Sequence, residues 1–248
     1  MVFSSITFLL YFLPIVLVTY FLLSFSRKMQ NVWLLFASLF FYAWGEPIYV
    51  GLMIFSIVTN WMTGVWIEKT DNNKICRIIG CILNLGMLGI FKYTGFFADT
   101  INSILGENVF AVPEIRLPIG ISFYTFQALS YVIDVYQGKT KAQKNILDLG
   151  LYIAFFPQLI AGPIVRYSTI QKQILERKAD WNMICSGVCR FAEGLFKKIM
   201  LANHLAVVAD HIFGLTVGGA TDVPLPVMLA WVGAIAYTLQ LYYDFSSY

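Results

Sequence analysis

Residues 1–28 read MVFSSITFLLYFLPIVLVTYFLLSFSRK, an uncharged run through Ser26 that ends on the Arg27–Lys28 pair. A helix rises ~1.5 Å per residue and the hydrocarbon core of a bilayer is ~30 Å thick, so about 20 apolar residues suffice to cross it. The run is not a cleavable signal peptide, because no basic residue precedes it and a basic pair follows it. The rest of the chain has the same character. Of 248 residues, 58% are apolar, 17% aromatic and 12% charged, and the mean hydropathy is +0.70. A soluble domain carries roughly 25% charged residues and about 45–50% apolar ones, so a soluble globular fold is excluded. With Gly at 18, Pro at 8 and Cys at 4, disordered, collagenous and disulfide-stapled classes are excluded too. A net charge of +3 is too small to argue for nucleic acid, and none is expected as a partner.

Working outward, the next uncharged run is 29–45, closed by Glu46-Pro47. Residues 48–67 follow, then a polar stretch at 68–77 and a shorter apolar run at 78–91. From 92 to 116 the chain turns polar, with Asp99, Glu107, Pro113 and Glu114, and reads as a loop with a broken or surface helix. Residues 117–133 form another run, ended by Asp134 and Gly138, and Lys139, Lys141 and Lys144 make a basic connector to 149–165. That run holds Pro157, Gly162 and Pro163 inside FFPQLIAGPIVRY (155–167). Each proline removes a helix hydrogen bond, and irregular backbone at membrane depth survives only within protein or beside a water-filled cavity. The run is therefore expected to be a re-entrant or broken helix lining a site. Pro224 and Pro226 open the last run, 227–243. About seven apolar elements are long enough to cross. The expected fold is all-α, a polytopic transmembrane helical protein with a re-entrant segment and an interfacial amphipathic helix, without internal repeats.

Basic residues favour cytoplasmic loops. Arg27 and Lys28 then lie inside and the amino terminus outside; Glu46 falls outside, Lys69, Lys74 and Arg77 inside, Asp99 to Glu114 outside, and the lysine connector inside. The loop with Arg166, Lys172, Arg177 and Lys178, against Glu176 and Asp180, lands outside if 149–165 crosses and inside if it dips and returns. Charge thus favours the re-entrant path. In 181–201, Ile184, Val188, Phe191, Leu195 and Ile199 share one helical face, while Arg190, Glu193 and Lys197 share the other. This reads as an amphipathic helix in the interface, with Lys197 and Lys198 available to anionic head groups. Binding of an acyl carrier or a coenzyme phosphate there is the alternative.

Reactive groups are few. His204 and His211 are the only histidines, neither has a partner at metal-ligand spacing, and both read as structural or interfacial. Cys76 with Cys81 and Cys185 with Cys189 lack a CxxC pattern and read as packing residues; no metal and no bound cofactor is expected. No GxSxG, phosphate loop or dinucleotide fingerprint occurs. Acids in apolar runs are costly. Asp134 sits at a run end and reads either as an interfacial helix end or as part of a site; Asp244 stands among tyrosines and serines that can hydrogen-bond a buried carboxylate. Asn84, Gln127, Gln158 and Gln240 each need a partner in lipid, and most such amides glue helices together. Beside a broken helix a cluster of them can instead line a polar tunnel. Gln127, Asp134, Gln158 and Asp244 are the candidate tunnel or substrate-lining residues; no residue is assigned as catalytic.

Several blocks carry a family resemblance: residues 1–23, SLFFYAWGEPIYV (38–50), NLGMLGIFKYTGFF (84–97), LPIGISFYTFQALSYVIDVYQG (117–138), FFPQLIAGPIVRY (155–167) and YYDFSSY (242–248). Together they resemble consecutive blocks of the membrane-bound O-acyltransferase family, and within it the bacterial alginate O-acetyltransferase type, to which teichoic-acid D-alanyl transfer proteins are related. The resemblance implies a ring of transmembrane helices around a polar tunnel in the bacterial cytoplasmic membrane. It implies an acyl thioester donor on the cytoplasmic side, acetyl-coenzyme A or an acyl carrier protein, and a polysaccharide acceptor outside. The family's presumed general base is a membrane-embedded histidine, which follows its YYDFSSY-type block, as does a Trp-Arg-Arg-Trp-His segment. The chain stops at Tyr248, and neither His204 nor His211 matches either position. Residues 1–248 are therefore expected to be the amino-terminal part of a single membrane domain, inactive alone. Ser247 stands where the family usually has glycine. D-alanyl transfer to teichoic acid, or a non-catalytic transport or assembly subunit, are the alternative readings.

Overall fold

A computed structural model describes residues 3–70, 73–106, 116–159, 162–177, 180–217 and 226–248. Among the described residues every regular element is helical. They form two units, residues 10–177 and residues 3–9 with 180–248.

The first unit is a bundle of α1 (Leu13–Leu22), α2 (Arg27–Gly45), α3 (Val50–Lys69), α4 (Asn73–Leu105), α5 (Ile121–Tyr136), α6 (Ile146–Ala154), α7 (Phe156–Leu159) and α8 (Tyr167–Glu176). Of these, α3 and α4 are long and apolar enough to cross a membrane. Their patterning is that of a protein solvated by lipid. The inward face of α3 carries Ser56, Asn60, Thr63 and Gly64 with Met53, Ile57 and Ile67, while Ile54, Phe55, Met62 and Trp66 face out. In water that arrangement would be inverted. Asn60 and Asn84 exchange amide hydrogen bonds of 3.1 and 2.8 Å between α3 and α4, the helix-joining role expected of an intramembrane amide.

Core packing centres on α5. Tyr124, Tyr131, Tyr152 and Tyr167 are fully buried, and the Tyr167 ring meets those of Tyr131 and Tyr152 edge-on, each at 5.1 Å. Gly64 makes room for this cluster, since a Cβ there would collide with the Tyr131 hydroxyl.

One segment differs from expectation and one is broken as expected. The polar stretch after Lys92 is not a loop at its start: α4 continues unbroken to Leu105, and Thr94, Thr100 and Ser103 return their hydroxyls to carbonyls one turn back. No proline interrupts 92–105, and isolated charges on an exposed face leave helix hydrogen bonds intact. Glu107, Pro113 and Glu114 lie outside the described residues. The run 149–165 is broken where proline required it. Helix α6 ends at Ala154, Phe155 leaves helical geometry, α7 lasts one turn, and the chain reaches α8 without regular structure after Gly162; Ile160 and Ala161 lie outside the described residues.

In the second unit, α9 (Trp181–Phe196) passes through a π-helical segment (Lys197–Ala202) into α10 (Asn203–Val217), which packs on α11 (Val227–Ser246); Pro224 lies outside the described residues. No side chain of α9 is buried, in keeping with an unpartnered amphipathic face. The uniform period expected over 181–201 holds only to Phe196, because the wider π turn inserts an extra residue and rotates every later position about the helix axis. Small residues let α10 and α11 approach: a Cβ on Gly233 would meet Ile212 at 2.9 Å and Phe213 at 3.1 Å.

Candidate functional site

Breaking a helix strands backbone groups, and here side chains recover them. An intact helix would direct the Phe156 N–H to the Tyr152 carbonyl. Instead that N–H donates to Ser38 Oγ on α2 at 3.2 Å. The Tyr152 carbonyl accepts two amide side chains, Gln127 Nε2 from α5 at 2.6 Å and Gln158 Nε2 from α7 at 2.9 Å. The Tyr152 hydroxyl reaches across to the Val165 carbonyl at 2.8 Å, tying α6 to the irregular strand beyond the break. Two candidates from the sequence thus meet at one atom.

Asp134 is buried two turns along α5 from Gln127, and Ser168 Oγ donates to its Oδ2 at 3.4 Å. Its carbonyl also accepts the Lys139 N–H at 3.0 Å, which folds the chain back after α5. Asp244 belongs to the second unit. Its carboxylate pairs with Lys198 on the π-helical segment rather than with the neighbouring tyrosines, and its side chain is about a third exposed (32%). Lys198 is therefore engaged within the protein and is not one of the head-group contacts expected of the amphipathic helix.

A second polar cluster was not singled out from the sequence. Asp148, on the first turn of α6, accepts Asn31 Nδ2 on Oδ1 and Asn145 Nδ2 on Oδ2, both at 2.8 Å. The same Asn31 amide reaches the Ile174 carbonyl of α8 at 3.2 Å, and Asn31 Oδ1 accepts Arg177 Nη1 at 2.7 Å. Arg177 Nε donates to the Tyr20 hydroxyl at 2.7 Å. The start of α6 and the end of α8 are thereby held at one residue of α2. The available signal was Asn145 three residues before Asp148, a helix-start pattern just outside the apolar run.

Between the helix break and this cluster lies a cavity of about 180 Å³, walled by Leu34, Phe155 and Ile170 and edged by Gln158, Gln173 and Arg177. Arg177 Nη2 is buried there without a hydrogen-bond partner among the described residues. Such a pocket can orient an acyl or carbonyl group along its apolar wall and offers amide and guanidinium hydrogens to an oxygen. Neither histidine enters it: both are exposed on α10, with His204 Nδ1 3.2 Å from the Ile199 carbonyl. No three His, Cys, Asp or Glu side chains among the described residues are placed to hold a metal.

Residues 143–248 match the sequence profile of MBOAT, the membrane-bound O-acyltransferase family. Over its whole length the chain is 41% identical to the probable alginate O-acetylase AlgI of Pseudomonas syringae pv. tomato, covering 48% of that protein. It is likewise 41% identical to the probable alginate O-acetylase AlgI of Azotobacter vinelandii, covering 49%. To the peptidoglycan O-acetyltransferase of Helicobacter pylori it is 34% identical over its full length, covering 52%. The chain spans about half the length of the curated relatives it matches. No solved structure matches it.

Proposed function

We propose that this chain, which belongs to the membrane-bound O-acyltransferase family, serves O-acyl transfer to a polysaccharide at the bacterial cytoplasmic membrane. The group moved is acetyl, delivered as a thioester of coenzyme A or of an acyl carrier on the cytoplasmic side. The acceptor is a hydroxyl of a polysaccharide outside. Its oxygen forms the ester bond to the acyl carbon, the carbon–sulfur bond breaks, and the hydroxyl proton, taken up by a base, passes to the leaving sulfur so that the thiol departs. In this reading the chain is multi-pass with its amino terminus outside. Residues 149–165 enter the membrane and return to the side they left.

The observation that carries the reading is the Tyr152 carbonyl held by Gln127 and Gln158 at a helix break, beside a cavity, in a chain 41% identical to an alginate O-acetylase. Irregular backbone of this kind, its Tyr152 carbonyl and Phe156 N–H taken up by side chains, is what lets a polar path exist at membrane depth. Gln127 and Gln158 brace that path, Asp134 lines it further along α5, and Asp244 braces the second unit through Lys198. The return of the chain is supported by Asn31, which bonds both Asp148 at the start of α6 and Ile174 near the end of α8.

The test is the ester content of the envelope. Inactivating the gene should remove hydroxylamine-labile acetyl from one envelope polysaccharide, and restoring it with Gln127→Leu and Gln158→Leu together should leave most of that loss in place at an equal membrane level of protein. Unchanged ester content after inactivation would sink the proposal.

A further inference from the structure

The faces of α4 and α5 that turn away from the tyrosine core leave a second cavity. It measures about 420 Å³ and is lined by Arg77, Ile78, Ile82 and Leu85 of α4 with Ile133 and Tyr136 of α5, Gln137 closing its end. That volume is in the range of small-molecule sites, here as an open groove. The long wall is apolar: Ile78, Ile82 and Leu85 recur every three or four residues and remain 48%, 63% and 49% exposed. They form one unpartnered stripe along α4.

The end that Gln137 closes is positive. The Arg77 guanidinium lies over the Tyr136 ring, 4.1 Å from its centroid. A ring face orients a cation without neutralising it. Among the described residues no carboxylate forms an ion pair with Arg77. Among the described residues, Glu68 Oε2 accepts the Ala142 N–H, and Asp134 is buried against Ser168. Lys74, one turn before Arg77, and Lys139, just beyond Gln137, add charge of the same sign. An apolar channel capped at one end by an unneutralised guanidinium and an amide has the polarity of an amphiphile with an anionic head.

We propose that this groove binds one anionic phospholipid, its phosphate on Arg77 and the Gln137 amide and one acyl chain along Ile78, Ile82 and Leu85. Charge selects the head and the apolar stripe selects the chain, so neither a zwitterionic lipid nor a free phosphate satisfies the whole site. Arginine suits the head because its planar fork bonds a phosphate bidentately. The site stands apart from the broken helix and does not depend on the acyl-transfer reading.

The experiment is native mass spectrometry of the full chain released from bilayers that hold phosphatidylglycerol and phosphatidylcholine of identical acyl chains, with soluble glycerophosphoglycerol as a separate arm. One phosphatidylglycerol should be retained in preference to phosphatidylcholine. Arg77→Gln should cut that retention roughly fivefold, the loss expected for one basic contact to an anionic head. Leu85→Trp, which fills the channel and leaves the cation in place, should also lower it. Equal retention of the two lipids overturns the proposal. So does unchanged retention in both variants, or competition by the soluble head group as effective as that by the intact lipid.

Discussion

The Tyr152 carbonyl shows how much of a helix break one atom can absorb. It has lost its helical donor and holds two amides instead. A buried carbonyl with one remaining partner is weakened, whereas one with none bears the full desolvation cost of ~1–3 kcal/mol. Gln127→Leu and Gln158→Leu should therefore be mild singly, and the double variant should lose more stability than the sum, a departure that thermal unfolding in detergent would measure through a double-mutant cycle. Strict additivity would mean that the two amides do not share an acceptor. Gly64 makes a second point about single residues. Its Cβ would strike the Tyr131 hydroxyl, and that hydroxyl accepts the Gln143 N–H at 3.0 Å. Gly64→Ala should cost ~1–3 kcal/mol by overpacking, read as a lowered unfolding midpoint. Gln127 and Gln158 were legible in the sequence because an amide in an apolar run has to find a partner. Asp148 and Arg177 were not, since Asn31, which joins them, lies 117 residues from one and 146 from the other. Charges at the ends of runs look like ordinary loop residues when their partners are that remote.

At the scale of elements, the prolines foretold that 149–165 would break, but not which side chains would absorb the break. Ser38, wholly buried on α2, supplies the acceptor for the Phe156 N–H and also donates to the Leu34 carbonyl at 2.6 Å. Ser38→Ala should cost ~1–3 kcal/mol for the orphaned N–H, whereas Ser38→Thr, which keeps the hydroxyl, should recover part of it; equal loss in both variants would show that packing, not the hydrogen bond, sets the cost. The amphipathic helix was legible to Phe196 and no further. Hydrophobic spacing assumes one helical period, and a π turn changes the period without any residue type that announces it. That turn brings Lys198 to Asp244. With side chains 26% and 32% exposed, the pair is solvent-screened, and a Lys198→Met, Asp244→Asn cycle should give a coupling of ~1 kcal/mol or less. The length of α4 was misread for a different reason: polar residues past Lys92 resembled a loop, but nothing from 92 to 105 breaks a helix.

For the whole molecule, two independent arguments bear on which side of the membrane each segment reaches. Charge distribution puts the loop with Arg166, Lys172 and Arg177 on the same side as the lysine connector only if 149–165 returns. Geometry agrees: α6 has 9 residues, ~13 Å of helix against ~30 Å of hydrocarbon, and Asn31 fastens both its start and the end of α8. A crossing segment would separate those ends by the thickness of the bilayer. Cysteine placed at Lys172, which is exposed on α8, tests this in a background with Cys76, Cys81, Cys185 and Cys189 replaced by alanine. A membrane-impermeant maleimide should leave it unmodified in intact cells and react after permeabilisation. Cysteine at Ile48, 86% exposed beside the Glu46 turn, should react without permeabilisation and so calibrate the outside. Strong labelling at 172 in intact cells would mean that the run crosses, and the bond from Asn31 to both Asp148 and Ile174 could not then survive in the membrane.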